Sequence, residues 1–208
     1  MWQIFLRGGF AMWPLLFCSI LALAIVLDRL WFFFVGTRGE NEDLVSQALA
    51  ALSGGRRLEA MQIIRKEKGV TNSILSAALA HADEPAQFVQ EAMARAGRDE
   101  LVRMQRGLGT LEAIVSVAPL LGLLGTVTGI IRTFNVIGGL QGLQSPAEVA
   151  PGIAEALFTT AFGLMIATPA QFFSSIFNAQ VERRVAQINN RAGQVLLALG
   201  RGGERVDR

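Results

Sequence analysis

The chain has 208 residues, of which 51% are hydrophobic and only 17% charged, with a formal net charge of +2. An ordinary soluble domain is about a quarter charged, so this composition excludes that class. The charge is also too small, and the basic residues too dispersed among non-aromatic neighbours, for a nucleic-acid-binding surface.

Three segments reach the length of about 20 mostly apolar residues that a bilayer core requires. The first covers about 10–35. Arg7 and the run after Phe10 superficially resemble a secretory leader, but Trp31-Phe32-Phe33-Phe34 stands where the small residues of a cleavage site belong, so the segment reads as a retained anchor. Asp28 and Arg29 lie near one end of it, at headgroup depth. Cys18, the single cysteine, lies inside the apolar run and leaves no intrachain disulfide to form.

Residues 36–110 read as a helical insertion. Leu44, Ala48, Leu49 and Leu52 recur at helical spacing before Gly54-Gly55, and Leu58, Met61 and Ile64 lead into the basic cluster Arg65-Lys66-Glu67-Lys68, closed by Gly69. Thr71 or Asn72 is placed to cap a third helix reaching about Ala82. From Pro85, apolar residues recur every three to five positions through Leu111, and without a proline before Pro119 this helix is expected to run straight into the second span. That span covers about 111–137 and the third about 150–177. After it, Val181, Val185, Ile188, Ala192, Val195 and Leu199 keep a near-heptad seam that Gly200, Gly202 and Gly203 are expected to end. The division is therefore 1–35 for the amino-terminal segment and first span, 36–110 for the insertion, 111–178 for spans two and three, and 179–208 for the terminal helix and tail. No strand pattern is present. The fold class is an all-α membrane protein with three transmembrane helices, two of them long and extending into the cytoplasm.

Charge placement supports three spans. The insertion and the tail are rich in Arg and Lys, whereas the link at about 138–149 has neither. The positive-inside rule then puts the insertion and carboxyl terminus in the cytoplasm and the amino terminus outside, with Arg7 as a mild contrary signal.

The polar content of spans two and three is the most informative feature. Span two contains Ala118-Pro119-Leu120-Leu121-Gly122-Leu123-Leu124-Gly125-Thr126-Val127-Thr128-Gly129, and span three contains Pro151-Gly152-Ile153-Ala154-Glu155-Ala156-Leu157-Phe158-Thr159-Thr160-Ala161-Phe162-Gly163. On a helix, Glu112, Pro119, Gly122, Thr126, Ile130 and Thr133 fall on one face. In span three, Gly152, Glu155, Thr159 and Gly163 share a face, while Thr160 lies round towards Ala156 and Ala167. Gly122, Gly125, Gly129, Pro119 and Gly163 read as helix-packing positions, since small residues let membrane helices approach closely. Pro119 and Pro169 kink or adjust their helices. A threonine hydroxyl in a span can satisfy itself on the carbonyl one turn back, so Thr126 or Thr160 alone has a purely structural reading beside the functional one. Glu155 lies about 8 Å into its span at 1.5 Å per residue. An ionised residue there is costly unless it faces a cavity or partner. Glu112 reads as a charge at the cytoplasmic rim, His81 as a surface residue, and Arg132 as a snorkelling side chain at the outer end of span two.

Enzyme chemistry is not indicated. Gly122-x-x-Gly125-Thr126 lacks the lysine of a phosphate loop, one His and one Cys far apart do not make a zinc site, and no serine stands in a nucleophile elbow. The expectation is no catalytic residue, no metal and no cofactor.

Leu111 to Phe134, followed by Ala150 to Pro169, resembles the MotA/TolQ/ExbB proton-channel family. The phrase Ala150-Pro151-Gly152-Ile153-Ala154-Glu155-Ala156-Leu157 is particularly similar to ExbB and TolQ, without deciding between them, and three spans argue against the MotA branch. The resemblance implies a homopentameric ring of long helices around the transmembrane helices of a smaller ExbD/TolR-like, single-span partner, which carries the proton-bearing aspartate. Further implied are a TonB/TolA-like periplasm-spanning protein, a bacterial inner-membrane location in contact with lipid, and conversion of proton motive force into work on the cell envelope. It places Thr126, Thr160 and Glu155 on the proton pathway. The residues agree on one point: threonine hydroxyls do not titrate near neutral pH, so a second polypeptide should supply a carboxylate. The competing readings are a non-conducting helical scaffold that anchors a partner and a small secondary transporter, the latter weakened by the absence of an inverted repeat.

Overall fold

The computed structural model describes residues 9–36, 42–64, 70–139 and 146–206. Among them there are only helices. In chain order these are α1 (Met12–Trp31), continued by a π-helical turn at Phe32–Gly36, then α2 (Glu42–Ser53), α3 (Arg57–Ile64), α4 (Val70–Ala80), α5 (Ala86–Gln105), α6 (Leu108–Gly139) and α7 (Pro146–Val206). Three stretches are long and apolar enough to cross a membrane: one at Met12–Phe34, one within Ala86–Asn135 and one within Val149–Ala198. The basic cluster at 65–69 and most of the link at 140–145 lie outside the described residues, as does Arg7.

The chain divides into two units. One holds residues 1–29 and 107–177, the other 30–106 and 178–208. The second unit has its own core. Val45, Ala48 and Leu52 of α2 meet Ile74, Leu75 and Ala78 of α4, with Val89 and Met93 of α5 and Val195 of α7. Ala48, Leu52, Val89, Met93 and Val195 are helical-spacing positions read from the sequence, buried for the ordinary hydrophobic reason, whereas Leu58 and Met61 of α3, expected on the same grounds, are exposed. The turn after α2 falls at Gly54-Gly55, where Gly55 has φ +75. His81 is partly exposed, its Nδ1 2.9 Å from Glu84.

Three boundaries differ from the sequence-based expectation. The helix that begins after Pro85 does not run unbroken into span two. It stops at Gln105, and Gly107 takes φ +78, a left-handed conformation open to glycine at little cost. The Leu111 N–H then donates to the Gly107 carbonyl (3.0 Å), starting α6. At the other end, the glycines at 200, 202 and 203 do not stop α7, which stays helical to Val206. Finally, α4 starts at Val70, so Thr71 and Asn72 sit in its first turn instead of capping it. A lone glycine is a weak breaker, and its effect depends on whether the fold needs a turn there.

The first unit is organised around a seam between α6 and α7. Ala118, Gly122, Gly125, Gly129 and Thr133 form a buried row on α6 at spacings of three and four. Gly152, Ala156, Thr159 and Gly163 face them from α7. A side chain on Gly125 would overlap the Thr159 side chain, and one on Gly163 would come within 2.6 Å of the Ala118 carbonyl oxygen. One on Gly129 would sit 2.9 Å from the Gly152 carbonyl oxygen. The two backbones are thus in near contact along four turns, which only small residues permit.

This seam predicts a contrast between two glycines. Gly125→Ala forces a methyl into Thr159 and is expected to cost about 1–3 kcal/mol. Gly193→Ala, on α7 with open space around it, is expected to stabilise by about 0.4–1 kcal/mol. Thermal unfolding in detergent should move the two variants in opposite directions.

Candidate functional site

The hydroxyls along the seam sort into two kinds. Thr126 donates to Leu123 O (2.6 Å), Thr133 to Gly129 O (2.9 Å) and Thr168 to Leu164 O (2.8 Å). Thr128 donates to Leu124 O and Gly125 O, and Thr159 to Glu155 O and Ala156 O. All of these stay within one helix, as threonines in apolar surroundings commonly do. Thr160 differs: its hydroxyl crosses the seam and donates to the Gly122 carbonyl of α6 at 3.1 Å.

That carbonyl also lies four residues before Thr126, so regular α-helical pairing makes it the acceptor of the Thr126 N–H. Thr160 and Thr126 therefore meet at one oxygen, both half-buried at the rim of the seam. The absence of a side chain at Gly122 is what admits Thr160, because a Cβ there would stand 3.1 Å from the Thr160 Cα. Thr159, one position earlier, is fully buried in the seam itself.

The face expected of span two is divided by the structure. Gly122 and Thr133 are buried in the seam, Pro119 and Thr126 are half-buried at its rim, and Glu112 and Ile130 are exposed. The sequence-predicted residues also part company along α7. Thr160 is five positions beyond Glu155, a rotation of about 140° on a helix. Thr126 and Thr160 come together; Glu155 lies elsewhere.

Glu155 is nearly buried, and Arg132 of α6 donates to its Oε2 at 2.7 Å. Arg132, expected to snorkel at the outer end of span two, is largely exposed and is also engaged across the helix pair. The opposite carboxylate oxygen, Oε1, lies against Gly9, where any side chain would overlap it and where φ is +65. Three segments therefore converge on one carboxylate. Elsewhere in this unit Asp28 holds Arg29 at 2.6 Å, with the guanidinium buried and the carboxylate exposed. No group of three or more potential metal ligands occurs among the described residues.

Sequence reading missed the Arg132–Glu155 pair, although a signal was present. Arg132 stands six residues before the link at 138–149 and Glu155 six residues after it. In an antiparallel hairpin these positions share one depth. The Gly9 contact had no signal, since nothing in a sequence announces where a terminal segment folds back.

What the arrangement offers chemically is a dry, closely packed helix pair with two hydroxyls at one rim and a neutralised ion pair round the other side. Neither hydroxyl stores a proton near neutral pH.

Comparison with known proteins bears on the same stretch. A profile described as the MotA/TolQ/ExbB proton channel family matches residues 66–190. Over 168 residues the chain is 39% identical to a putative biopolymer transport protein, ExbB-like 1, of Synechocystis sp., covering 78% of this chain and 65% of that protein. It is 41% identical over 123 residues to the biopolymer transport protein ExbB of Pseudomonas putida, covering 57% of this chain and 36% of that one. With the Tol-Pal system protein TolQ of Pseudomonas aeruginosa it shares 39% identity over 103 residues, 48% of this chain and 44% of that one. The match thus spans just under two thirds of the Synechocystis relative and less than half of the two Pseudomonas ones. Spans two and three, with the seam and both threonines, lie inside the matched region, and the protein is a multi-pass membrane protein that belongs to the MotA/TolQ/ExbB proton channel family, nearest the ExbB and TolQ members.

Proposed function

We propose that the chain is the ring-forming subunit of a proton-driven motor in a bacterial inner membrane. Several copies, a homopentamer, surround the membrane helices of an ExbD/TolR-type partner, and the proton-bearing carboxylate belongs to that partner. Proton motive force is converted into movement of the partner, and a TonB/TolA-like protein passes the work across the periplasm to outer-membrane transport or envelope maintenance. The observation that carries this reading is the Thr160 hydroxyl reaching across the seam to the Gly122 carbonyl beside Thr126.

In this reading the Thr160 hydroxyl, which joins two helices where it could bond within its own, sits at the rim of the polar passage. Thr126 and Thr160 line that passage, and Glu155 contributes charge to its outer mouth. Large apolar side chains exposed along the same helices, among them Leu120, Leu123, Leu124 and Val127, suit burial against lipid and neighbouring copies. A bare scaffold would account for the glycine seam equally well. Partner-dependent, uncoupler-sensitive proton movement is what separates the two readings.

In this reading the insertion and carboxyl terminus are cytoplasmic. A carboxyl-terminal reporter active only in the cytoplasm should be functional, and a periplasmic reporter fused at about residue 143 should be active; the reverse pattern removes the assignment of faces.

Thr160→Val keeps the side-chain shape and deletes the hydroxyl. With the chain and its single-span partner reconstituted together in vesicles, it should lower uncoupler-sensitive proton uptake about tenfold, equivalent to about 1.4 kcal/mol of barrier. Thr160→Ser should retain most of the uptake. Unchanged uptake in Thr160→Val takes this residue out of the passage, and partner-independent movement of a solute by the chain alone would favour a transporter.

A further inference from the structure

The Arg132–Glu155 pair is placed to do more than neutralise a charge. Its two members stand on α6 and α7, 23 residues apart in sequence and 2.7 Å apart in space. Arg132 is six positions from Thr126, a rotation of about 120°, and Glu155 is about 140° from Thr160. The small residues of the seam, Gly129, Ala156 and Thr159, occupy the intervening face. The carboxylate therefore lies round the helix pair from the threonine rim, on the side where Gly9, just before α1, closes against Oε1.

We infer that Arg132 is a positioning residue for the proton passage: it holds the Glu155 carboxylate away from the threonine rim, so that Glu155 is a fixed charge and strut at the outer mouth and not a group that hands protons on. This rests on the reading of the chain as a proton-motor subunit. The partition of the side chains supports it. Glu155 is 11% exposed and Arg132 64% exposed, so the acid is enclosed and the base closes it from outside. Turning the carboxylate towards Thr160 requires breaking a charge-assisted hydrogen bond and leaving a nearly buried carboxylate without its partner, an expensive exchange. It also requires opening the Gly9 contact. An acid so constrained is a poor shuttle and a good fixture.

The test uses the full chain in lipid vesicles, with and without its single-span partner. Infrared bands of the Glu155 carboxyl are isolated by subtracting the Glu155→Gln spectrum, and uncoupler-sensitive proton uptake is measured on the same preparations. Arg132→Gln should displace those bands and lower uptake about tenfold. Arg132→Lys and the exchanged pair Arg132→Glu with Glu155→Arg should recover uptake to within about threefold of the wild type. Thermal unfolding of each variant identifies any that fails to fold, and Arg132→Lys keeps the test open if the exchanged pair does not assemble. Bands that stay in place in Arg132→Gln overturn the inference, because the carboxylate is then held by something else. Displaced bands with wild-type uptake also overturn it, because the pair is then merely structural. If the wild type itself shows no partner-dependent uptake, the motor reading fails, whereas the infrared result still decides whether Arg132 holds Glu155.

Discussion

Close approach of two backbones is the constraint on which the membrane part of this protein depends. In lipid there is no solvent to drive apolar faces together, so helix association relies on fit, on hydrogen bonds across the contact and on the small residues that allow both. Here Gly122, Gly125 and Gly129 of α6 meet Gly152, Ala156, Thr159 and Gly163 of α7 with almost no side-chain volume between them. Each notable polar contact of the site follows. Thr160 reaches the Gly122 carbonyl because no Cβ blocks it, Thr159 is enclosed because Gly125 leaves the space, and Arg132 and Glu155 meet because the helices lie near enough for one guanidinium to cross.

The seam also explains why this region tolerates so many polar atoms. Every span threonine described above has its hydroxyl bonded to a carbonyl, and the one buried acid has its base. An unpaired polar group in hydrocarbon costs several kcal/mol, so this pairing is a condition of insertion and not an ornament of function. Function has to be read from the exceptions. Thr126 and Thr133 spend their hydroxyls within α6, Thr126 at the half-buried rim, while Thr160 spends its hydroxyl on another helix.

Much of this was legible in the residues. Runs of apolar residues disclosed the three membrane-length segments, and the spacing of Leu44 to Leu52 and of Val181 to Val195 disclosed which faces of the second unit are buried. Small residues three and four apart announced that spans two and three press closely on neighbours. What was not legible depends on rotation and register. Helical spacing places Thr126 with Gly122 and Thr133, yet whether that face is centred on the contact or on its rim turns on about 60° that no single sequence specifies. The break at Gly107 and the unbroken helix across Gly200, Gly202 and Gly203 show the same residue type behaving in opposite ways. A glycine permits a left-handed turn, and the surrounding packing decides whether the turn is taken.

The two sides of the helix pair therefore carry polarity of different kinds. On one side a carboxylate and a guanidinium cancel each other and close against the segment before α1, which fixes them. On the other, the Thr160 hydroxyl crosses to the Gly122 carbonyl and the Thr126 hydroxyl bonds within its own helix to Leu123 O, both residues retaining partial exposure. A hydroxyl can exchange hydrogen-bond partners with little penalty, since it both donates and accepts, whereas an ion pair whose carboxylate is enclosed opens at greater cost. In the proposed motor the threonine side is the one suited to meet and release a moving carboxylate from another polypeptide. In the same proposal the acidic side is the one suited to hold the helices still.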